Sequence, residues 1–247
     1  MRAVVIDRVG GPEVLRIADV SRPEPGPGEV LIRVACAGVN PADWKCREGY
    51  LGSFISYTFP FVIGFDLAGT VAAVGTGVTG FAEGMRVFAQ TDVGAGKWGS
   101  YAEYASVRHD SVVRMPDSLS FAQAAAVPTP ALAAWTGLFD DGGLQAGQKV
   151  LIHGGAGAVG TFAIQFAKLA GAEVAATCGA RNADYVRMLG CDKSIDYRAQ
   201  DVRAALHDWA PEGVDMVLDA VGCGSLPKGP DMLRPGGILV AILTLVA

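Results

Sequence analysis

The feature that most limits the fold is a glycine run set between a strand and a helix. Gly155-Ala-Gly157-Ala-Val-Gly160 has the spacing GxGxxG. In a chain with 33 glycines among 247 residues that spacing alone is weak. Its setting makes it specific: the apolar run Lys149–His153 precedes it, and the helical run Ala158–Ala170 follows. Gly155 is expected to permit the tight turn. Gly157 lets the backbone approach a pyrophosphate, and Gly160 lets helix and strand pack closely. Free N–H groups around Ala158 and Val159, together with the helix dipole, then hold the phosphates.

Strand and helix patterns alternate on both sides of this motif. Glu173–Cys178, Lys193–Asp196, Val214–Asp219 and Ile238–Leu243 read as strands, and Asn182–Leu189 and Asp201–Trp209 as helices. Such alternation predicts a parallel, doubly wound sheet. Residues 1–115 read differently. Ala3–Ile6, Glu29–Val34, Gly69–Val74, Met85–Phe88 and Tyr101–Val107 are short β-type runs separated by Gly and Pro, with no long amphipathic helix before Asp117. That spacing predicts a barrel or sandwich. The boundary is expected near residues 115–122, giving domains at 1–118 and 119–247.

Composition excludes several classes. Apolar residues make up 51% of the chain, too many for a disordered protein. A net charge of −5 argues against a general nucleic-acid binder, which needs excess Lys and Arg. Met1–Leu15 has no apolar h-region, and Ile238–Ala247 is too short to span a bilayer. The five cysteines (Cys36, Cys46, Cys178, Cys191, Cys223) contain no CxxC pair and read as reduced thiols of a cytoplasmic protein.

The nucleotide can be narrowed. An NAD site usually carries an acid about 20 residues beyond the glycines, bonding the ribose 2′-hydroxyl. Here the second strand ends Ala176-Thr177-Cys178 without one, and Arg181 follows. An Arg attracts a 2′-phosphate, which favours NADPH, although Asp184 lies nearby.

Several segments together resemble the zinc-free medium-chain dehydrogenase/reductases, in the branch of quinone oxidoreductases and alkenal double-bond reductases. They are Gly38-Val-Asn-Pro-Ala-Asp-Trp-Lys45, Phe59–Gly69, Gly99-Ser-Tyr-Ala-Glu-Tyr104, Gly147–Gly160, Ala176–Asn182 and Asp219-Ala-Val-Gly222. The resemblance implies an α/β architecture. A GroES-like β-barrel domain that handles substrate is followed by a Rossmann domain that binds NADPH, with the active site in the cleft between them. It also implies no zinc. Asn40 takes the place of one catalytic ligand, Phe65 replaces the His of another, and no Cys stands near Val127–Thr129. A zinc-free site must hold a developing enolate or hydroquinone oxygen with hydrogen-bond donors. By resemblance the candidates are Asn40, Lys45 and Tyr50, with Asp43 holding the segment in place. The resemblance also brings Thr129 to the nicotinamide side and Tyr197 to the 2′-phosphate. Thr177 and Val221 complete the expected cofactor set.

Family members run longer, and the chain as given stops just after the expected fifth strand, so the Rossmann sheet is expected to lack its last strand. Leu243 stands where the family has Gly, and Pro227 and Pro230 interrupt a segment that is helical in relatives. Two alternatives therefore stand beside an NADPH-dependent quinone or enone reductase: a catalytically poor NADPH-binding or sensing protein, and an enoyl-reductase-type module. Phe54, Tyr57 and Trp98 are candidates for an apolar pocket.

Overall fold

The computed structural model describes residues 1–94, 97–222, 224–225 and 229–242. Two compact units divide the chain, Met1–Thr129 and Pro130–Ala247. Cys223, Pro227 and Leu243 lie outside the described residues.

Among the described residues, the first unit contains eight strands and two short helices. In chain order these are β1 (Arg2–Ile6), β2 (Arg16–Asp19), β3 (Glu29–Ala37), α1 (Pro41–Arg47), β4 (Phe61–Val62), β5 (Asp66–Val74), β6 (Arg86–Gln90), β7 (Tyr104–Arg108), β8 (Val112–Arg114) and α2 (Phe121–Ala125). Five strands form an antiparallel sheet in the order β7-β3-β5-β6-β8, and β2-β1-β4 form a smaller one. Val30 and Ile32 of β3 point to one face, as period-two alternation requires. There they pack with Leu67, Val71, Val87, Ala105 and Val107. This is the GroES-like half of the fold.

Helix α2 belongs to this unit. Ser120 and Gln123 cap it reciprocally, satisfying N–H groups that a helix start leaves free. Its Ala124 and Ala125 then pack on Ala68 and Met115. The first unit consequently runs on to Thr129, beyond the expected 115–122 region.

A helix α3 (Pro128–Trp135) leads into the second unit. There follow β9 (Lys149–His153), α4 (Ala158–Leu169), β10 (Glu173–Cys178), α5 (Ala183–Met188), β11 (Lys193–Asp196), α6 (Val202–His207), β12 (Val214–Asp219) and β13 (Leu233–Ala241). All five strands run parallel, in the order β11-β10-β9-β12-β13. Helices cover both faces, so the middle of the central strand, Val150–Ile152, is apolar. Val150 and Ile152 of β9 pack with Ala163, Ile164 and Ala167 of α4, while Leu151 packs with Ala205 and Leu206 of α6. Among the described residues the expected Rossmann sheet is present as five strands.

β13 starts earlier than Ile238. It absorbs Pro235-Gly-Gly237 through a register shift opposite Val214 and Met216. Among the described residues it is an edge strand, where a proline is tolerated.

Candidate active site

The strand order of the second unit reverses between β9 and β12, and ligands of open parallel sheets bind beyond the strand ends at such a point. A cavity of about 460 Å³ lies there. It is lined from four successive strand ends: His153 to Gly157, Thr177 to Gly179, Tyr197, and Val221 with Ser225. Asn182 closes one side.

The three motif glycines do different work. The left-handed backbone falls on Gly154, at φ 85°, and not on Gly155 as the sequence suggested. Gly155 instead allows close packing, since a Cβ there would sit 2.7 Å from the Ala176 Cβ. At Gly160 a Cβ would lie 2.3 Å from the Gly154 carbonyl oxygen and 2.6 Å from the Gly155 Cα. Gly157 is the N-cap of α4 and is exposed, and a Cβ there would meet only the Gly154 oxygen, at 3.2 Å. Ala158 and Val159 open the helix beside it. Space is thus kept clear where N–H groups point outward, as a cradle for phosphates requires.

A hydrogen-bond chain fixes the cradle from below. The Gly154 N–H donates to Thr177 Oγ1 at 3.0 Å, and the Gly155 N–H to the Thr177 carbonyl at 2.9 Å. Thr177 Oγ1 lies 2.8 Å from His153 Nδ1, and His153 Nε2 lies 3.1 Å from Ser225 Oγ. Ser225 spends its only hydrogen on the Gly222 carbonyl at 2.7 Å. It must therefore accept from Nε2–H, which leaves Nδ1 of a neutral ring to accept from Thr177. Burial agrees, holding His153 below its ordinary value, with Asp219 opposing. Thr177 is thus spent on internal bonds and shapes the cradle. Asp219 Oδ1 accepts from the N–H groups of Val221 and Gly222, both at 2.9 Å.

At the far end, Arg181 is exposed and makes no hydrogen bond or ion pair among the described residues. Asp184 does not neutralise it, being paired with Arg187 at 2.9 Å. Tyr197 is exposed, and its hydroxyl accepts from Arg198 Nε at 3.2 Å.

In the first unit, Asn40 is held by two carboxylates. Its backbone N–H donates to Asp43 Oδ2 at 2.5 Å, and its Nδ2 to Asp66 Oδ2 at 2.9 Å. Asp43 also accepts from the Phe65 N–H at 3.1 Å. Asp66 also accepts from Thr129, from its N–H at 3.0 Å and its hydroxyl at 2.6 Å. Gln90 Nε2 donates to Thr129 Oγ1 at 2.9 Å. Burial pushes both carboxyls up, and their bonds to donors oppose it. Lys45, half-buried, sits two residues along α1 from buried Asp43, about 200° around the helix. Its ammonium lies 5.7 Å from the centre of the Trp44 ring. Tyr50 is exposed and meets Trp44 edge-on.

The three candidate pocket aromatics are not brought together. Phe54 is 83% exposed, Tyr57 donates to the Cys46 carbonyl at 2.6 Å, and Trp98 packs beside Ala3, Val5 and Val62. Asp66, Gln90, His153 and Ser225 were missed as site residues. Asp66 had left a signal, as a lone acid in the apolar run Phe61–Ala68.

Comparison with known proteins agrees with this architecture. Residues 26–117 match the alcohol dehydrogenase GroES-like domain, and residues 158–242 match the family model described as zinc-binding dehydrogenase. The residues present do not fit a zinc ion. Phe65 offers no lone pair, the Asn40 amide is turned to Asp66, and no three His, Cys, Asp or Glu among the described residues could hold a metal. Human quinone oxidoreductase is 31% identical over 245 residues, covering 98% of this chain and 73% of that protein. A chloroplastic quinone-oxidoreductase homolog of spinach is 36% identical over 197 residues, and the match spans 78% of this chain but only 59% of that protein. A mycobacterial protein solved in complex with NADPH is 32% identical, with a TM-score of 0.84 over 98% of this chain and 73% of its own. With both halves of the fold, the cradle and these relatives in agreement, the chain belongs to the medium-chain dehydrogenase/reductase superfamily, in which quinone oxidoreductases are among its relatives.

Proposed function

We propose that this chain is an NADPH-dependent reductase of quinones or α,β-unsaturated carbonyl compounds that works without zinc. The observation that carries this reading is the glycine cradle with an exposed, unneutralised Arg181 at its ribose end. A dinucleotide fits it: added Cβ atoms at Gly155 and Gly160 would strike the chain itself, whereas Gly157 keeps its outer face open. A bound nicotinamide supplies the hydride.

The chain's own residues take up the rest of the work. Ala158 and Val159 present N–H groups to the pyrophosphate, beside Gly157, whose own N–H is spent on the Gly154 carbonyl. Arg181 takes the 2′-phosphate by charge-assisted hydrogen bonds, with Tyr197 beside it. Thr129 meets the nicotinamide end. Asn40 retains one amide hydrogen after bonding Asp66, and it donates that hydrogen to the oxygen that gains charge. Lys45 is the next donor, as a hydrogen bond or a proton source, and Tyr50 the alternative. A naphthoquinone, a benzoquinone and a 2-alkenal, each offered with NADPH and followed by nucleotide oxidation, test the proposal. Turnover with at least one, reduced about tenfold or more in Asn40→Ala, is expected. Cofactor binding without turnover on any of the three would contradict it.

A further inference from the structure

The hydrogen bonds around Asp66 run in one direction. Its carboxylate is fully buried, at 0% exposure, yet no cation pairs with it among the described residues. Every group that reaches it is a donor: Asn40 Nδ2, the Thr129 N–H and the Thr129 hydroxyl. The amide N–H of Thr129 can only donate, so the oxygens it faces must accept. The Thr129 hydroxyl has one hydrogen and gives it to Asp66 at 2.6 Å, so Gln90 must turn its Nε2 toward Thr129 Oγ1. The same logic turns the Asn40 amide nitrogen inward. Gly38 makes room for this cluster, since a Cβ there would lie 2.9 Å from the Asp66 Cβ and 2.4 Å from the Ala125 carbonyl oxygen.

We infer that Asp66 is a positioning residue that sets what Asn40 and Thr129 offer a ligand. With Asp66 as the common acceptor, Thr129 Oγ1 keeps only a lone pair and takes a hydrogen bond, as from a ribose hydroxyl or a carboxamide N–H. Asn40 keeps one N–H and its carbonyl oxygen. The inference deepens the proposed function and rests on it for the identity of the ligand.

Asp66→Asn keeps the shape and breaks the pattern. A carboxamide must put an N–H against either Thr129 Oγ1 or Asn40, and whichever it faces must reverse. The test is calorimetric titration of the wild-type and Asp66→Asn chains with NADPH and with adenosine 2′,5′-bisphosphate, which engages the cradle alone. Expected is an NADPH affinity about tenfold or more weaker, with the bisphosphate unchanged. Unchanged NADPH affinity, or an equal loss for both ligands, would overturn the inference. If the variant does not fold, the side-chain amide of Asn40 in the wild-type chain decides, assigned by its loss in Asn40→Ser. One exchange-protected N–H, the hydrogen held by Asp66, is expected beside a freely exchanging partner, and rapid exchange of both would overturn the assignment. Should wild type bind neither ligand, the cofactor reading fails by itself, and the amide signals still judge the positioning.

Discussion

Replacing Gly160 and Gly157 singly by alanine separates a glycine needed for folding from one needed for ligand. At Gly160 the new Cβ would come within 3 Å of three backbone atoms of Gly154 and Gly155, none of which can swing aside as a side chain would. Overpacking of this kind costs up to about 3 kcal/mol. Alanine's better helix propensity returns about 1 kcal/mol, so the net loss is about 2 kcal/mol. For a chain of this size that lowers Tm by about 4–8 °C. At Gly157 the single neighbour is the Gly154 oxygen at 3.2 Å, and the position is an N-cap. Alanine there costs about 0.5–1 kcal/mol, or roughly 1–4 °C. Its Cβ, however, projects from the exposed start of α4, where the proposed function puts the phosphates. NADPH affinity is therefore expected to fall about tenfold or more in Gly157→Ala. Thermal melts followed by circular dichroism, with calorimetric titration at 25 °C, read both quantities. A Gly157→Ala chain with normal NADPH affinity, or a Gly160→Ala chain as stable as wild type, would refute the division.

Four further outcomes rest on the same structure. Arg181→Ala is expected to weaken NADPH binding about tenfold or more and leave NADH binding unchanged, since Asp184 is already paired with Arg187. His153 is held below its ordinary 6.5 by burial, so the unfolded chain binds a proton there that the folded chain resists. The stability it confers is full above pH 6.5 and is lost as pH falls below that value, and melts across this range should slope less in His153→Gln. Asp43 and Asp66 act oppositely, being raised from 3.8, so their contribution is lost as pH rises through their folded values. Leu218→Ala removes a side chain at 0% exposure from the core between the sheet and α4, and should cost about 2–5 kcal/mol by denaturant unfolding.

The parts of the fold visible in the sequence were those set by local pattern. The strands Lys149–His153, Glu173–Cys178, Lys193–Asp196 and Val214–Asp219 have the bounds expected of them; all but the short Lys193–Asp196 carry an apolar run. The helix α4 shows Gly160, Ala163, Ile164 and Ala167 on its buried stripe, the period its sequence displays. What escaped depends on distant partners. The early start of β13 runs through Pro235-Gly-Gly237, which reads locally as a turn and is carried as a register shift between Leu233 and Ile238, both paired with β12. Asp66 and Thr129 meet across 63 residues of chain, and no spacing rule reaches that far. Thr177 illustrates a different limit: its place beside the cradle was legible, but the use of its hydroxyl by His153 and Gly154 was not. The same holds for the tight turn, which needed one more glycine than the motif contains.

On the proposed function, the second unit holds NADPH through its glycine cradle and Arg181. Calorimetric titration of the 247-residue chain with NADPH, and in parallel with NADH, tests it most directly. Binding of NADPH about tenfold or more tighter than NADH is the predicted result. Equal affinities would contradict the role of Arg181, and binding of neither by a folded chain would contradict the cradle itself.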